Sequence, residues 1–236
     1  MKIIAINGSP RKNKNTATLL NKALEGTATQ GAKTEFVHLY DLDYKGCVSC
    51  FGCKLKNGKS YGKCAYRDGL TPLLEQIEHA DAIILGSPIY FQSVTGNMRS
   101  FMERLMFPYL RYTAEDRSIF GRKIPIGFIY TMNITLDQMN ELGYMQGLRF
   151  IEEDLKGIFG FFESLVVNDT YQFDDYSKYV VTTFDGNKKA KVKEEQFPED
   201  CKKAFDLGVC LAQQARIFKE NAPISEKRYS VEKIQR

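Results

Sequence analysis

The chain has 236 residues, a net charge of +4 from 33 Lys and Arg against 29 Asp and Glu, and 43% hydrophobic residues. That is enough apolar material for an ordinary globular core, and the basic excess is small and dispersed, which suits anionic small molecules and excludes a nucleic-acid-binding stripe. Met1-Lys2 leads into only four apolar residues before Asn7, too few for a signal-peptide core, and no run approaches membrane-spanning length, so a cytoplasmic protein with no membrane partner is expected.

Residues 2–7 read as a first buried strand, followed by the small basic turn Gly8-Ser9-Pro10-Arg11-Lys12-Asn13-Lys14-Asn15 and a helix over 15–30. A helix start leaves backbone N–H groups unpaired and carries partial positive charge, so the turn is a candidate phosphate cradle. Ser9, Asn15 and Thr16 can add side-chain donors, and Arg11 can add charge. The Gly-Lys-Ser/Thr ending of a nucleoside-triphosphate loop is missing, as are the second and third glycines of a dinucleotide fingerprint. A single terminal phosphate suits the turn better than a pyrophosphate; the plain alternative is a capped turn with solvated lysines.

Further strands are expected at 32–39, 81–85, 124–130 and 165–167, and helices near 69–79, 96–107, 146–160 and 199–219. Strands alternating with helices predict an α/β fold with a five-stranded parallel sheet covered on both faces. Such a sheet binds its ligand outside the carboxyl ends of the strands. The loops after strands one, three and four therefore matter, which brings in Ser87 to Gly96 and Thr131 to Thr135, with Thr131 and Asn133 as candidate contacts. One domain over 1–236 is expected, with a cysteine-bearing insertion at 46–64, a long connection at 171–200 and a tail at 220–236. His38 and His79 read as structural.

The turn G-S-P-R followed by N-T, together with residues 80–104, ADAIILGSPIYFQSVTGNMRSFMER, resembles the flavodoxin-like NAD(P)H-dependent FMN reductases over about the first 105 residues. That resemblance implies FMN as cofactor and NADH or NADPH as reductant. It also implies a ring-facing loop of Pro88, Ile89, Tyr90 and Phe91 followed by Ser93, and a homodimer or higher homo-oligomer. Aromatic and apolar surface suits the faces of an isoalloxazine, and backbone donors near its ring tune the potential. Packing of Tyr90 and Phe91 beneath the loop is the plain alternative.

Cys47-x2-Cys50-x2-Cys53, with Cys64 ten residues further on, is similar to the iron–sulfur flavoproteins of the same superfamily. Three cysteines at two-residue gaps can wrap three corners of a [4Fe–4S] cluster and Cys64 can supply the fourth thiolate. Free redox-active thiols and a structural zinc stay open beside it. Cys201 and Cys210 fall on nearly opposite faces of the last helix and are expected to be dispensable.

The reading that follows is an FMN-dependent oxidoreductase, an NAD(P)H-dependent flavin reductase, with no catalytic acid assigned. It takes hydride from NAD(P)H and delivers electrons to a quinone, a flavin, a nitro or azo compound, or an iron–sulfur centre. The alternative is a non-enzymatic FMN electron carrier between redox proteins. Flavodoxin carriers present acidic loops, and Arg11, Lys12 and Lys14 weigh against that alternative.

Overall fold

The computed structural model describes residues 1–113 and 117–222; most of the tail expected at 220–236 lies outside the described residues. Five parallel strands form the sheet: β1 (Lys2–Asn7), β2 (Lys33–His38), β3 (Ala82–Tyr90), β5 (Ile124–Thr131) and β6 (Gly160–Val167), in the order β2-β1-β3-β5-β6. A two-residue strand, β4 (Ser93–Val94), folds back antiparallel on the end of β3 through Ile89↔Val94 and Tyr90↔Ser93. The order reverses between β1 and β3, whose register runs from Ile3↔Ala82 to Asn7↔Gly86. That switch point opens a crevice at the carboxyl ends of these two strands.

Burial explains the strands. Ile3, Ile4, Ala5 and Ile6 of β1 and Ala82, Ile83, Ile84 and Leu85 of β3 have no exposed surface, as unbroken aliphatic runs covered on both faces must. Alternate residues feed two cores. Ile3, Ala5, Ala82, Ile84 and Ile129 meet α1 (Asn15–Thr29) and α7 (Phe197–Glu220). Ile4, Ile6, Ile83, Leu85, Ile126 and Phe128 meet α2 (Thr71–Ile77), α3 (Gly96–Met106) and α5 (Tyr144–Phe159) on the other side.

Several boundaries differ from the sequence expectation, each for a local reason. The third strand runs on through Tyr90 instead of ending at Leu85, because β4 gives its last residues a hydrogen-bonding partner. The fifth parallel strand begins at Gly160 rather than 165: Gly160 caps α5 with φ 99° and starts β6 at once. A positive φ of that size suits glycine, so no loop is needed between helix and strand. The connection at 171–200 holds α6 (Gly186–Glu195), preceded by the short α4 (Leu136–Glu141) further up the chain. Polar α6 gave little periodic signal. Among the described residues no helix is long and apolar enough to cross a membrane.

Candidate functional site

The phosphate-turn candidates sit where β1 meets α1. Asn7, fully buried at the end of β1, accepts from Ser9 N at 2.9 Å through Oδ1, which orients its amide so that Nδ2 faces His38 Nδ1 at 3.0 Å. Ser9 Oγ in turn accepts from Arg11 N at 3.1 Å. Gly8 is pinned on both sides: its N–H donates to Gly86 O at 2.8 Å and its carbonyl accepts from Thr95 Oγ1 at 2.7 Å. A methyl group at Gly8 would sit 2.8 Å from Met98 Cβ, so only glycine lets the turn lie this close to α3.

No side chain caps α1: its N-cap residue Lys14 makes no capping bond. Thr18 N donates to Lys14 O at 3.0 Å, and among the described residues the N–H groups of Asn15, Thr16 and Ala17 before it have no acceptor. A bare, donor-rich helix start beside Arg11 is chemistry that fits a phosphate. Thr16 is buried and shares a 2.8 Å hydrogen bond with Thr131 Oγ1, which joins the helix start to the end of β5. Asn15 Nδ2 donates to Tyr171 O at 2.9 Å and Lys14 pairs with Asp174 at 2.6 Å. The arm after β6 therefore lies along the turn.

The ring-loop candidates form a hairpin rather than a loop. Pro88, Ile89 and Tyr90 end β3, Ser93 opens β4, and Phe91 and Gln92 make the turn with φ 49° and 63°. Both central residues thus take the left-handed conformation that a type I′ turn demands and that Asn-Gly normally supplies. Ile89 points into the core, only 9% exposed, so its side chain cannot face a ring; Tyr90 and the wholly exposed Phe91 can. The Tyr90 phenol is pushed up by burial and by Tyr40, against the opposing charge of Arg11. Hairpin and phosphate turn therefore stand side by side. The hairpin's base is fixed by Thr95 N donating to Ser87 Oγ at 3.0 Å.

Asn133 follows the end of β5. Its side-chain Nδ2 donates to Gln172 at 2.7 Å, and its backbone carbonyl accepts from Lys189, a buried α6 lysine that also pairs with Asp169 and lies over the Phe184 ring. Asn133 thus holds the arm, and its Oδ1 is buried without a hydrogen-bond partner among the described residues.

Cys47, Cys50, Cys53 and Cys64 line a single cleft with Arg104, Tyr66 and Phe107, about 330 Å³ of atom-free space open to solvent. Cys47 and Cys50 are exposed, and burial pushes the Cys53 thiol up. Four soft thiols on one wall are the donor set that iron–sulfur clusters and zinc take. Among the described residues, however, no three ligating side chains converge to metal-binding geometry. Cys201 and Cys210, on α7, take no part in the cleft. Burial also pushes the Asp68 carboxyl up, but hydrogen bonds from Arg104, Lys45 N and Leu70 N outweigh it and leave Asp68 below the usual range.

Sequence reasoning missed Asn7, Lys189 and Arg104, and it read Thr95 only as part of the Ser87 to Gly96 loop. Thr95 was readable as a side-chain cap, since its hydroxyl accepts from Met98 N at 3.3 Å at the start of α3. Arg104 was readable too: it shares the stripe of Met98, Phe101, Met102 and Leu105, where an arginine is out of place. Asn7 and Lys189 carried no signal, because their partners are 31 and 20 residues away.

Comparison with known proteins follows the same division. Residues 1–177 match the family model described as NADPH-dependent FMN reductase. An iron–sulfur flavoprotein of Methanocaldococcus jannaschii is 40% identical over 104 residues, covering 44% of this chain and 51% of that protein. One from Archaeoglobus fulgidus is 40% identical over 104 residues, covering 44% and 48%. The chain thus spans about half the length of the curated relatives it matches. Among solved structures, an NAD(P)H:quinone oxidoreductase from Methanothermobacter marburgensis superposes with a TM-score of 0.63 at 13% identity, covering 89% of this chain and 96% of that one. A flavone reductase gives 0.55 at 19%, covering 94% and 65%; at these identities the likeness is one of fold. With the family model matching three quarters of its length, the chain belongs to the NADPH-dependent FMN reductase family.

Proposed function

We propose that this enzyme binds FMN at the switch point between β1 and β3, accepts hydride there from NADH or NADPH, and passes electrons through a [4Fe–4S] centre on Cys47, Cys50, Cys53 and Cys64. The final acceptor is a small molecule such as a quinone or flavin, or a redox protein. The observation that carries the reading is the stitching of an uncapped helix start to an exposed aromatic hairpin, through Gly8 N to Gly86 O and Thr95 Oγ1 to Gly8 O. A phosphate and a ring of one cofactor need those two surfaces at fixed separation.

When bound, FMN supplies the atom that takes hydride. The chain's own groups bind and orient: Arg11, Ser9, Asn15, Thr16 and the first N–H groups of α1 hold the phosphate, and Pro88, Tyr90, Phe91 and Ser93 bound the ring. Ile89 contributes backbone only, since its side chain is in the core. Thr131 acts through Thr16. The names of the matched relatives support the cluster, and the shared cleft of the four cysteines is consistent with it. The closing of that cleft around metal is part of the proposal.

Heat-released cofactor identified by chromatography, with iron and sulfide analysis after anaerobic reconstitution, tests both halves. FMN with iron and sulfide on the four cysteines is expected. FAD or no flavin would remove the phosphate site, and zinc in place of iron would make the cysteine segment structural. A homodimer that covers the exposed Phe91 hairpin belongs to the same reading. Sedimentation that gives only monomer at micromolar concentration contradicts it.

A further inference from the structure

Arg104 is the largest fully buried side chain among the described residues. It stands on the third turn of α3, and its guanidinium spends its donors on one target, the two ends of the cysteine segment. Nη1 reaches Lys45 O at 3.1 Å, before Cys47, and the Asp68 carboxylate at 2.5 Å, after Cys64. Nη2 reaches Tyr66 O at 2.7 Å, and the Tyr66 ring lies 5.3 Å from the guanidinium carbon. Nε points at Cys64 Sγ at 3.3 Å. A cation buried this completely is costly unless each donor is satisfied. Three of its partners would close the loop without help from sulfur. The fourth puts a fixed charge on one thiol of the four.

We infer that Arg104 is the positioning residue of the sulfur centre: it clamps the cysteine segment shut and donates a charge-assisted N–H···S bond that holds Cys64 as the fourth ligand. The inference rests on the cluster reading proposed above. Its physical consequence is separate from binding. A reduced centre carries one more negative charge than an oxidised one, so a buried cation bonded to a ligand sulfur favours the reduced form and raises the potential. Planar geometry matters as well, because a lysine cannot reach the carboxylate, two carbonyls and a sulfur from one point.

The test uses the full chain, reconstituted anaerobically with iron and sulfide, as wild type, Arg104→Lys, Arg104→Gln and Arg67→Gln. Arg67 pairs with Glu75 at the surface at 2.6 Å, so its variant removes a nearby charge without touching sulfur. Both Arg104 variants are expected to keep FMN, to show a lower midpoint potential of the centre, and to lose iron at about ten- to hundredfold lower chelator concentration. Arg67→Gln is expected to match wild type. Iron-loaded Arg104 variants with wild-type potential and retention overturn the inference. A second measurement needs no variant: wild type grown with 15N-arginine, read by pulsed electron paramagnetic resonance of the reduced centre. Coupling to one arginine nitrogen supports the bond, and its absence overturns it. Wild type that takes up FMN but neither iron nor sulfide defeats the cluster reading itself, and the role of Arg104 with it.

Discussion

Arg11 lies in the candidate phosphate turn and His38 supports that turn through Asn7, so the two respond differently to change. Arg11→Ala removes a cation from the uncapped helix start, so FMN affinity is expected to fall by about 1–3 kcal/mol, the range for a lost charge-assisted hydrogen bond. Fluorescence titration of the apoprotein measures it, and unchanged affinity would move the phosphate elsewhere. His38 acts through Asn7, whose amide orientation is fixed by Ser9 N, so that Nδ2 donates to an unprotonated Nδ1. Burial pushes the His38 value below the ordinary 6.5, with Asp41 opposing and Lys12 assisting. The unfolded chain therefore binds the proton more readily. Stability from this contact is complete above about pH 6.5 and is lost as pH falls through the lowered folded value. Urea unfolding of wild type and His38→Gln between about pH 5 and 8 is expected to show a drop toward acid in wild type that the variant lacks; superimposable profiles contradict it. At this scale the candidate donors of the turn, Ser9, Arg11, Asn15 and Thr16, stand out in the sequence because they are adjacent to a strand end. The support given by Asn7 and His38 was hidden, since it depends on β1 and β2 lying side by side.

Among the elements, the β3–β4 hairpin is built against its own chemistry. Phe91 and Gln92 occupy left-handed positions at φ 49° and 63°, which costs a side-chain-bearing residue roughly 1–2 kcal/mol each. Gln92→Gly is expected to stabilise the apoprotein by about 1 kcal/mol, seen as a higher urea midpoint with unchanged slope; a lower midpoint would mean that Gln92 makes contacts worth more than its strain. The absence of Asn or Gly also explains why these residues read as a loop: the usual hairpin dipeptide is missing. The arm is the second such element. Lys189, 4% exposed, ties α6 to Asp169 and to the carbonyl of Asn133. Lys189→Ala is expected to cost about 3 kcal/mol, the low end for breaking a buried pair because Asp169 is partly exposed. The same variant should make residues 171–185 more open to limited proteolysis. Loss of stability without faster cleavage would separate the ion pair from the arm.

For the molecule as a whole, the buried aliphatic runs of β1, β3 and β5 wrote the sheet into the sequence, and their alternation of faces fixed two helical layers. Legibility fell with distance from that centre. β6 was found only over its last residues because its first half is partly exposed and follows α5 with no intervening loop. α6 carries four lysines and two glutamates in ten residues and shows no apolar stripe. Of the candidate site, the turn, the hairpin residues and the four cysteines were visible as local motifs; the burial of Ile89 and the bond from Asn133 to the arm depend on packing and cross-chain pairing, which no local motif carries. What unites the parts in the proposed function is a cofactor site at the β1/β3 switch point whose flavin is reduced by a nicotinamide. Anaerobic stopped-flow mixing of the FMN-loaded protein with NADPH and with NADH, followed at the flavin absorbance near 450 nm (roughly where oxidised flavins absorb), tests that claim most directly. Prompt bleaching by at least one of the two is the expected result. A flavin that stays oxidised with both, yet bleaches with a chemical reductant, would contradict the reductase and leave the electron carrier.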